Sequence, residues 1–189
     1  MSTPGNRGGS ARRSVDGRPE ASTRRLEVTV RAARREDIPR VWELLQELAR
    51  YERLEHIVSS TPERLAAQLF GHGWPQVECF VAEADGIIGG YALFFGCYSS
   101  FRGRPVMWLE DLYVIEPWRG AGAGVALMRA LARLAVERGC ARVAWDVLDW
   151  NEPSIAFYER LGATRGTEWH TYTLAGEALE ALGRSPQPG

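Results

Sequence analysis

Polar and apolar residues alternate through LEVTVRAA, residues 26–33, the period of a strand with one covered face. The period then lengthens. In EDIPRVWELLQELARYERL, residues 36–54, Ile38, Val41, Trp42, Leu45, Leu48 and Ala49 share one helical face, with Asp37 as N-cap and Pro39 in the first turn. SSTPERLAAQLFG, residues 59–71, carries the capping-box pair Ser60 and Glu63 and stops at Gly71. VECFVAEADGIIGGYALFFGC, residues 77–97, reads as two strands about a turn at Asp85-Gly86. PVMWLEDLYVIE is a further strand, ended by Pro117, and VALMRALARLAVERG a helix closed by Gly139. ARVAWDVLDW, residues 141–150, predicts a strand. NEPSIAFYERLG predicts a short helix with Asn151 near its cap, Pro153 in its first turn and Gly162 as its stop. TEWHTYTL, residues 167–174, predicts a last strand, and GEALEALG a last helical turn or two.

The element order is thus β-α-α-β-β-β-α-β-α-β. The three central strands have short connections and are antiparallel, while the unit from about 106 to 148 is long enough for a parallel crossover. The fold class is α/β: a mixed, largely antiparallel central sheet with helices on both faces, in a single domain over residues 26–183.

Composition narrows the picture at the ends. Residues 1–25 carry six arginines, Asp16 and Glu20, and hardly any large apolar side chain, so they predict a disordered basic tail. Residues 184–189 predict a frayed C-terminus. The net charge of −1 becomes −5 once the +4 tail is set aside, a balance that favours neither nucleic acid nor a membrane surface and suits a cationic ligand. Cys79, Cys97 and Cys140 are scattered in apolar runs and read as buried thiols. His56, His72 and His170 lack metal-ligand spacing, so no metal is expected. There is no run of 18 apolar residues and no secretory signal, which predicts a cytoplasmic protein.

The chemistry concentrates in LEDLYVIEPWRGAGAGVALMRALARLA, residues 109–135, where Gly120, Gly122 and Gly124 separate a strand pattern from a helix pattern. A phosphate held by main-chain N–H groups at a helix start is the usual reason for such a loop. A Walker A loop is excluded, because no lysine follows and the chain contains none. A dinucleotide loop fails at its third glycine, where Val125 or Leu127 stands. What remains is Arg119-x-x-Gly122-x-Gly124, or glycines that serve only close packing of helix on strand.

The run Arg119–Gly124 resembles the acyl-CoA diphosphate loop of the GNAT acetyltransferase superfamily. LEDLYV, WNEPSIAFYERLGA (Trp150–Ala163) and ELARYERLE (Glu47–Glu55) resemble its diamine (spermidine/spermine) acetyltransferase branch. The resemblance spans roughly residues 27–182. It implies acetyl-CoA as cosubstrate, a small-molecule primary amine as acceptor, and a homodimer. It also implies that Arg119, Gly120, Ala121, Gly122, Ala123, Gly124 and Val125 cradle the diphosphate, and that Leu112, Tyr113 and Val114 pair with the pantetheine arm like an added strand, with the N–H of Leu112 as oxyanion donor.

Acetyl transfer to an amine needs a base, since an alkyl ammonium has a pKa of about 10, and a donor for the leaving thiolate. Simple alternation puts Glu110 on one sheet face with Trp108 and Leu112, and Asp111 on the other with Leu109 and Tyr113. A carboxylate beside a tryptophan on a covered sheet is poorly solvated, which makes Glu110 the candidate base, acting through a water, as the resemblance also implies. Tyr158, one turn beyond Ser154, is the candidate acid, and Asn151 and Ser154 are expected at the pantetheine arm. The resemblance implies that Tyr51 and Glu52 line the amine site, and Asp111 is expected to bind a cationic substrate or a neighbouring loop. The loop YSSFRGRPVM departs from the polyamine enzymes: a serine replaces an acid, Arg102 and Arg104 add positive charge, and His56 replaces another acid. These changes favour a smaller or zwitterionic lysine-like amine. Trp74, Trp118 and Trp169 read as packing. The alternatives are a non-catalytic acyl-CoA-binding module, which needs neither Glu110 nor Tyr158, and an acetyltransferase acting on a protein amine or an antibiotic.

Overall fold

The computed structural model describes residues 26–166 and 170–184. They form two compact units, one ending at Trp145 and one starting at Asp146. The first contains β1 (Thr29–Ala32), α1 (Ile38–Glu52), α2 (Pro62–Phe70), β2 (Val77–Ala84), β3 (Ile87–Ser99), β4 (Arg104–Val114), α3 (Ala123–Glu137) and β5 (Val143–Ala144). The second contains α4 (Glu152–Arg160) and α5 (Gly176–Arg184).

The five strands lie in sequence order. Neighbours are antiparallel from β1 to β4, and β5 runs parallel to β4. The central strands bury both faces, because helices cover both. Val41 and Leu44 of α1 and Leu65 and Leu69 of α2 pack with Val77, Cys79, Val81, Tyr91 and Tyr113. On the other side, Leu127, Leu131 and Ala135 of α3 pack with Ala82, Ala92, Phe94, Met107 and Leu109. The turn at Asp85-Gly86 is as expected, with positive φ at both residues, the geometry of a tight hairpin.

Several local expectations change. Asp37 precedes α1 but does not cap it. Its carboxylate accepts from the Arg34 N–H at 2.7 Å and from Arg31 at 2.6 and 3.1 Å, and Arg31 also binds Glu83, so this acid ties α1 to β1 and β2. The cap of α2 is Thr61, not Ser60, and accepts from the Arg64 N–H at 3.2 Å. The strand expected over residues 141–150 shrinks to Val143–Ala144, which pairs only with Met107 and Trp108. Asp146 and Asp149 interrupt the β-forming run beyond it. Residues 170–174 carry no strand, and residues 167–169, Trp169 included, lie outside the described residues, as do the expected tails 1–25 and 185–189. Cys97 is exposed, because β3 outruns β2: their pairing ends at Phe95. Trp74 is exposed rather than packed.

Trp118 does pack, and it fixes the approach to the glycine loop. A Cβ on Gly89 would sit 2.5 Å from its ring, so β3 admits the indole only because residue 89 has no side chain. Gly89→Ala is expected to cost about 1–3 kcal/mol by overpacking and to lower the melting temperature by several degrees. Gly96→Ala, whose Cβ would meet nothing within 4 Å, is the matched control and should leave the melt where it is.

Candidate active site

Strand β4 is not regular. Leu93 pairs with Asp111 and the next residue of β3, Phe94, with Leu109, so Glu110 is the extra residue of a β-bulge. The consequence is a switch of faces. Met107 and Leu109 point toward α3, but beyond the bulge it is Leu112 and Val114 that do so. Asp111 and Tyr113 therefore face α1. Glu110, one residue beyond Leu109, stays on the α1 side with Trp108, whose indole N–H donates to its carboxylate at 3.0 Å. The simple alternation of the sequence is thus corrected: Asp111 and Leu109 lie on opposite faces, and two successive carboxylates share one.

Both acids line a cavity of about 440 Å³ between α1, α2 and the sheet. Glu52 of α1 joins them, and the remaining wall is mostly apolar, with Leu45, Leu48, Leu65, Val77 and Leu93. Arg64 and Gln68 of α2 also line it. Glu110 itself is exposed, so the expected poor solvation is not met there. It belongs to Asp111. Burial, with the charges of Glu110 and Glu52, pushes the Asp111 carboxyl up to about 7, against the downward pull of the Tyr91 hydroxyl, which donates to Oδ2 at 3.2 Å. Burial raises Glu52 as well. Tyr91 escaped the sequence reading because an aromatic in a buried strand is ordinary core. The available signal was a polar-tipped aromatic facing β4.

Tyr51 does not line the cavity. It lies under the Arg119 guanidinium, 5.0 Å from ring centre to Cζ, and Tyr113 stands 5.6 Å from the same cation. The Tyr113 hydroxyl donates to Glu47 at 3.1 Å. Arg119 Nε donates to the Val114 carbonyl at 3.0 Å, so this arginine and this carbonyl, both expected on the cofactor, are bonded to each other. Arg104 is spent on the Gly139 and Cys140 carbonyls just beyond α3, and neither it nor Arg102 nor His56 lines the cavity.

The expected cofactor surfaces have the right backbone. The Ile115 N–H donates to the Gly89 carbonyl at 2.9 Å, and this parity turns the N–H and C=O of Leu112 and Val114 away from β3. Strand β5 pairs no further than Trp108, so that edge of β4 is uncovered by any strand among the described residues. Gly120 and Gly122 have φ of 76° and 98°, conformations that favour glycine, whereas Gly124 already lies inside α3. The first bond of α3 runs from the Ala126 N–H to the Gly122 carbonyl. The N–H groups of Ala123, Gly124 and Val125 precede it and need an acceptor from outside the helix. An anion at this N-terminus and an amide-bearing arm along β4 both fit these groups.

In the second unit Asn151 is buried and caps α4, accepting from the Ser154 N–H at 3.3 Å, with Pro153 in the first turn as expected. Tyr158 lies one turn beyond Ser154, edge-on to Phe157 at 5.2 Å between ring centres. Among the described residues no group of three or more His, Cys, Asp or Glu side chains is placed to hold a metal ion, and no helix is long and apolar enough to cross a membrane.

The raised Asp111 makes stability depend on pH. Between about pH 4 and 7 the unfolded chain gives up this proton and the folded protein keeps it, so stability falls across that window and stays lower above it. Asp111→Asn should leave the melting temperature unchanged near pH 4 and raise it by several degrees near pH 8, from a relief on the order of 4 kcal/mol at most. Thermal melts of both proteins across that range are the check.

Comparison with known proteins shows the family. The Acetyltransferase (GNAT) family matches residues 38–163. The thialysine N-epsilon-acetyltransferase of Mus musculus is 37% identical over 173 residues, covering 86% of this chain and 98% of its own. The L-ornithine N5-acetyltransferase of Arabidopsis thaliana is 30% identical, covering 87% and 92%. An integron cassette protein from the mobile metagenome of V. cholerae shares the fold, with a TM-score of 0.71 at 24% identity over 85% of this chain and 99% of that one. The chain belongs to the GNAT acetyltransferase family and is an N-acetyltransferase.

Proposed function

We propose that the protein transfers an acetyl group from acetyl-CoA to the primary amine of a small lysine-like or ornithine-like molecule, by direct attack within a ternary complex. The observation that carries this reading is the convergence of Glu52, Glu110 and Asp111 on one cavity, along the strand whose other edge is free to take an extended arm. The printed activities of the mouse and Arabidopsis relatives support the acceptor class.

Acetyl-CoA supplies the activated acyl carbon and the thiolate leaving group. The residues of this chain do the rest. Glu52 and Asp111 attract the ammonium. Glu110 receives its proton through a water, leaving the nitrogen lone pair free to attack. The Leu112 N–H donates to the developing oxyanion. The N–H groups from Gly120 to Val125 hold the diphosphate, and Asn151 and Ser154 the pantetheine arm. Arg119 adds charge at the loop once it leaves Val114. Tyr158 passes its phenolic proton to the departing thiolate. A second reading is favoured by one observation: Asp111, with its carboxyl pushed up to about 7, is itself suited to take the proton.

Family resemblance and the exposed apolar side chains Leu179 and Leu182 of α5 support a homodimer, and the scattered free cysteines support a cytoplasmic setting. A light-scattering mass equal to one chain would exclude the dimer.

Free-thiol release from acetyl-CoA in the presence of thialysine, ornithine, diamines and polyamines tests the reaction. Tyr158→Phe and Glu110→Gln should each lower kcat by about 10²–10⁴ while acetyl-CoA still binds. Retained turnover in both variants, or an acyl-CoA-binding protein that no amine accelerates, would favour the non-catalytic module. If Asp111 is the base, Asp111→Asn and not Glu110→Gln abolishes the acid limb of the rate near pH 7.

A further inference from the structure

Arg64 stands out in the cavity wall. It is the one cation among lining residues that include Glu52, Glu110 and Asp111. It comes from the first turn of α2, where Thr61 accepts its backbone N–H, while Nη1 donates to the Ser59 carbonyl at 3.0 Å. That bond steadies the side chain and uses one of its five N–H donors. The guanidinium has no carboxylate partner among the described residues. Arg31, Arg40 and Arg138 each have one. Most of the remaining wall is apolar, Leu48, Leu65 and Leu93 included, with Ser60 and Gln68 as its neutral polar members.

A cavity with acids, a largely apolar wall and an exposed guanidinium that lacks a carboxylate partner matches one kind of ligand. We propose that Arg64 forms a carboxylate subsite, and that the acceptor is a zwitterionic amino acid whose side-chain ammonium meets Asp111 and Glu52 while its α-carboxylate meets Arg64. The proposal rests on the amine-acetyltransferase reading above and deepens it. The methylene or thioether chain of such an amino acid lies along the leucines. The planar fork of arginine pairs with a carboxylate through two parallel N–H donors. A diamine leaves the guanidinium unpaired, and a polyamine brings a second cation toward it, which repels. The cavity of about 440 Å³ is of a size that takes an amino acid. Glu63, the adjacent acid of α2, does not line the cavity.

The experiment compares kcat/KM for thialysine, thialysine methyl ester and the decarboxylated diamine in the full-length enzyme, Arg64→Gln and Arg64→Lys, with thermal melts to confirm folding. The wild type should prefer thialysine to both analogues by about tenfold or more, mainly through KM. Arg64→Gln should bring the ratio toward one, and Arg64→Lys should recover part of it. A wild-type ratio near one, or an Arg64→Gln variant that loses the same factor on all three compounds, overturns the carboxylate subsite and leaves the acetyltransferase reading intact. Acetylation of none of them, in an enzyme that binds acetyl-CoA, overturns both.

Discussion

One surplus residue in β4 decides which groups meet. In an unbroken strand Glu110 and Asp111 would point to opposite faces, and one of them would be driven among the leucines of α3. The bulge puts both on the α1 face and returns Leu112 and Val114 to the α3 core. It therefore serves packing and chemistry together: α3 keeps its apolar partners, and the cavity gains a second carboxylate. The parity it sets also turns the Leu112 and Val114 main-chain groups onto the free edge. A register shift of one residue would undo all three.

That arrangement has an energetic cost, and the cost falls on Asp111. Its carboxyl is enclosed by α1, β3 and its own strand, beside two other acids. The Tyr91 hydroxyl offsets part of the penalty, because a single donor favours the charged form without replacing full hydration. Nothing in the packing of the sheet requires an acid here. A buried group held in an unfavourable state is tolerated where a ligand of opposite charge relieves it, which is the part the proposed acceptor's cationic end would play at Asp111.

The sequence made the elements legible wherever the signal was local. The Asp85-Gly86 turn, the periodicity of α1 and α3, and the Asn151 cap with Pro153 all depend on residues a few positions apart, and all stand in the structure. What was not legible depends on partners distant in sequence. Residues 141–150 have the composition of a strand for half their length, yet pair only where β4 offers an edge. The cap of α2 passed from Ser60 to Thr61, a competition between adjacent hydroxyls that composition cannot rank. At the site, Glu52 was nameable from the resemblance and Glu110 and Asp111 from the strand pattern, but their shared face was not, because a bulge in a run of large residues has no glycine to announce it. Tyr91 and Arg64 were hidden for the same reason: their roles come from what the fold sets opposite them.

Helix α1 shows how the two halves of the first unit's site are tied. Leu45, Leu48, Ala49 and Glu52 follow the helical period along the cavity. Glu47 and Tyr51, four residues apart on the neighbouring face, meet Tyr113 and Arg119. Glu47 is held in turn by Arg40, whose Nε donates to the Ile88 carbonyl at 3.0 Å beside Gly89, the residue that seats Trp118. A single helix thus touches the acids proposed to attract the amine, the strand that would carry the arm and the arginine that opens the glycine loop. Arg119 is the point of exchange. With its Nε on Val114 and its guanidinium over two tyrosine rings, it rests on aromatic faces and a carbonyl, weaker partners than a diphosphate. The loop arginine is therefore kept in reach of the anion it would serve, held by contacts that a stronger charge can displace.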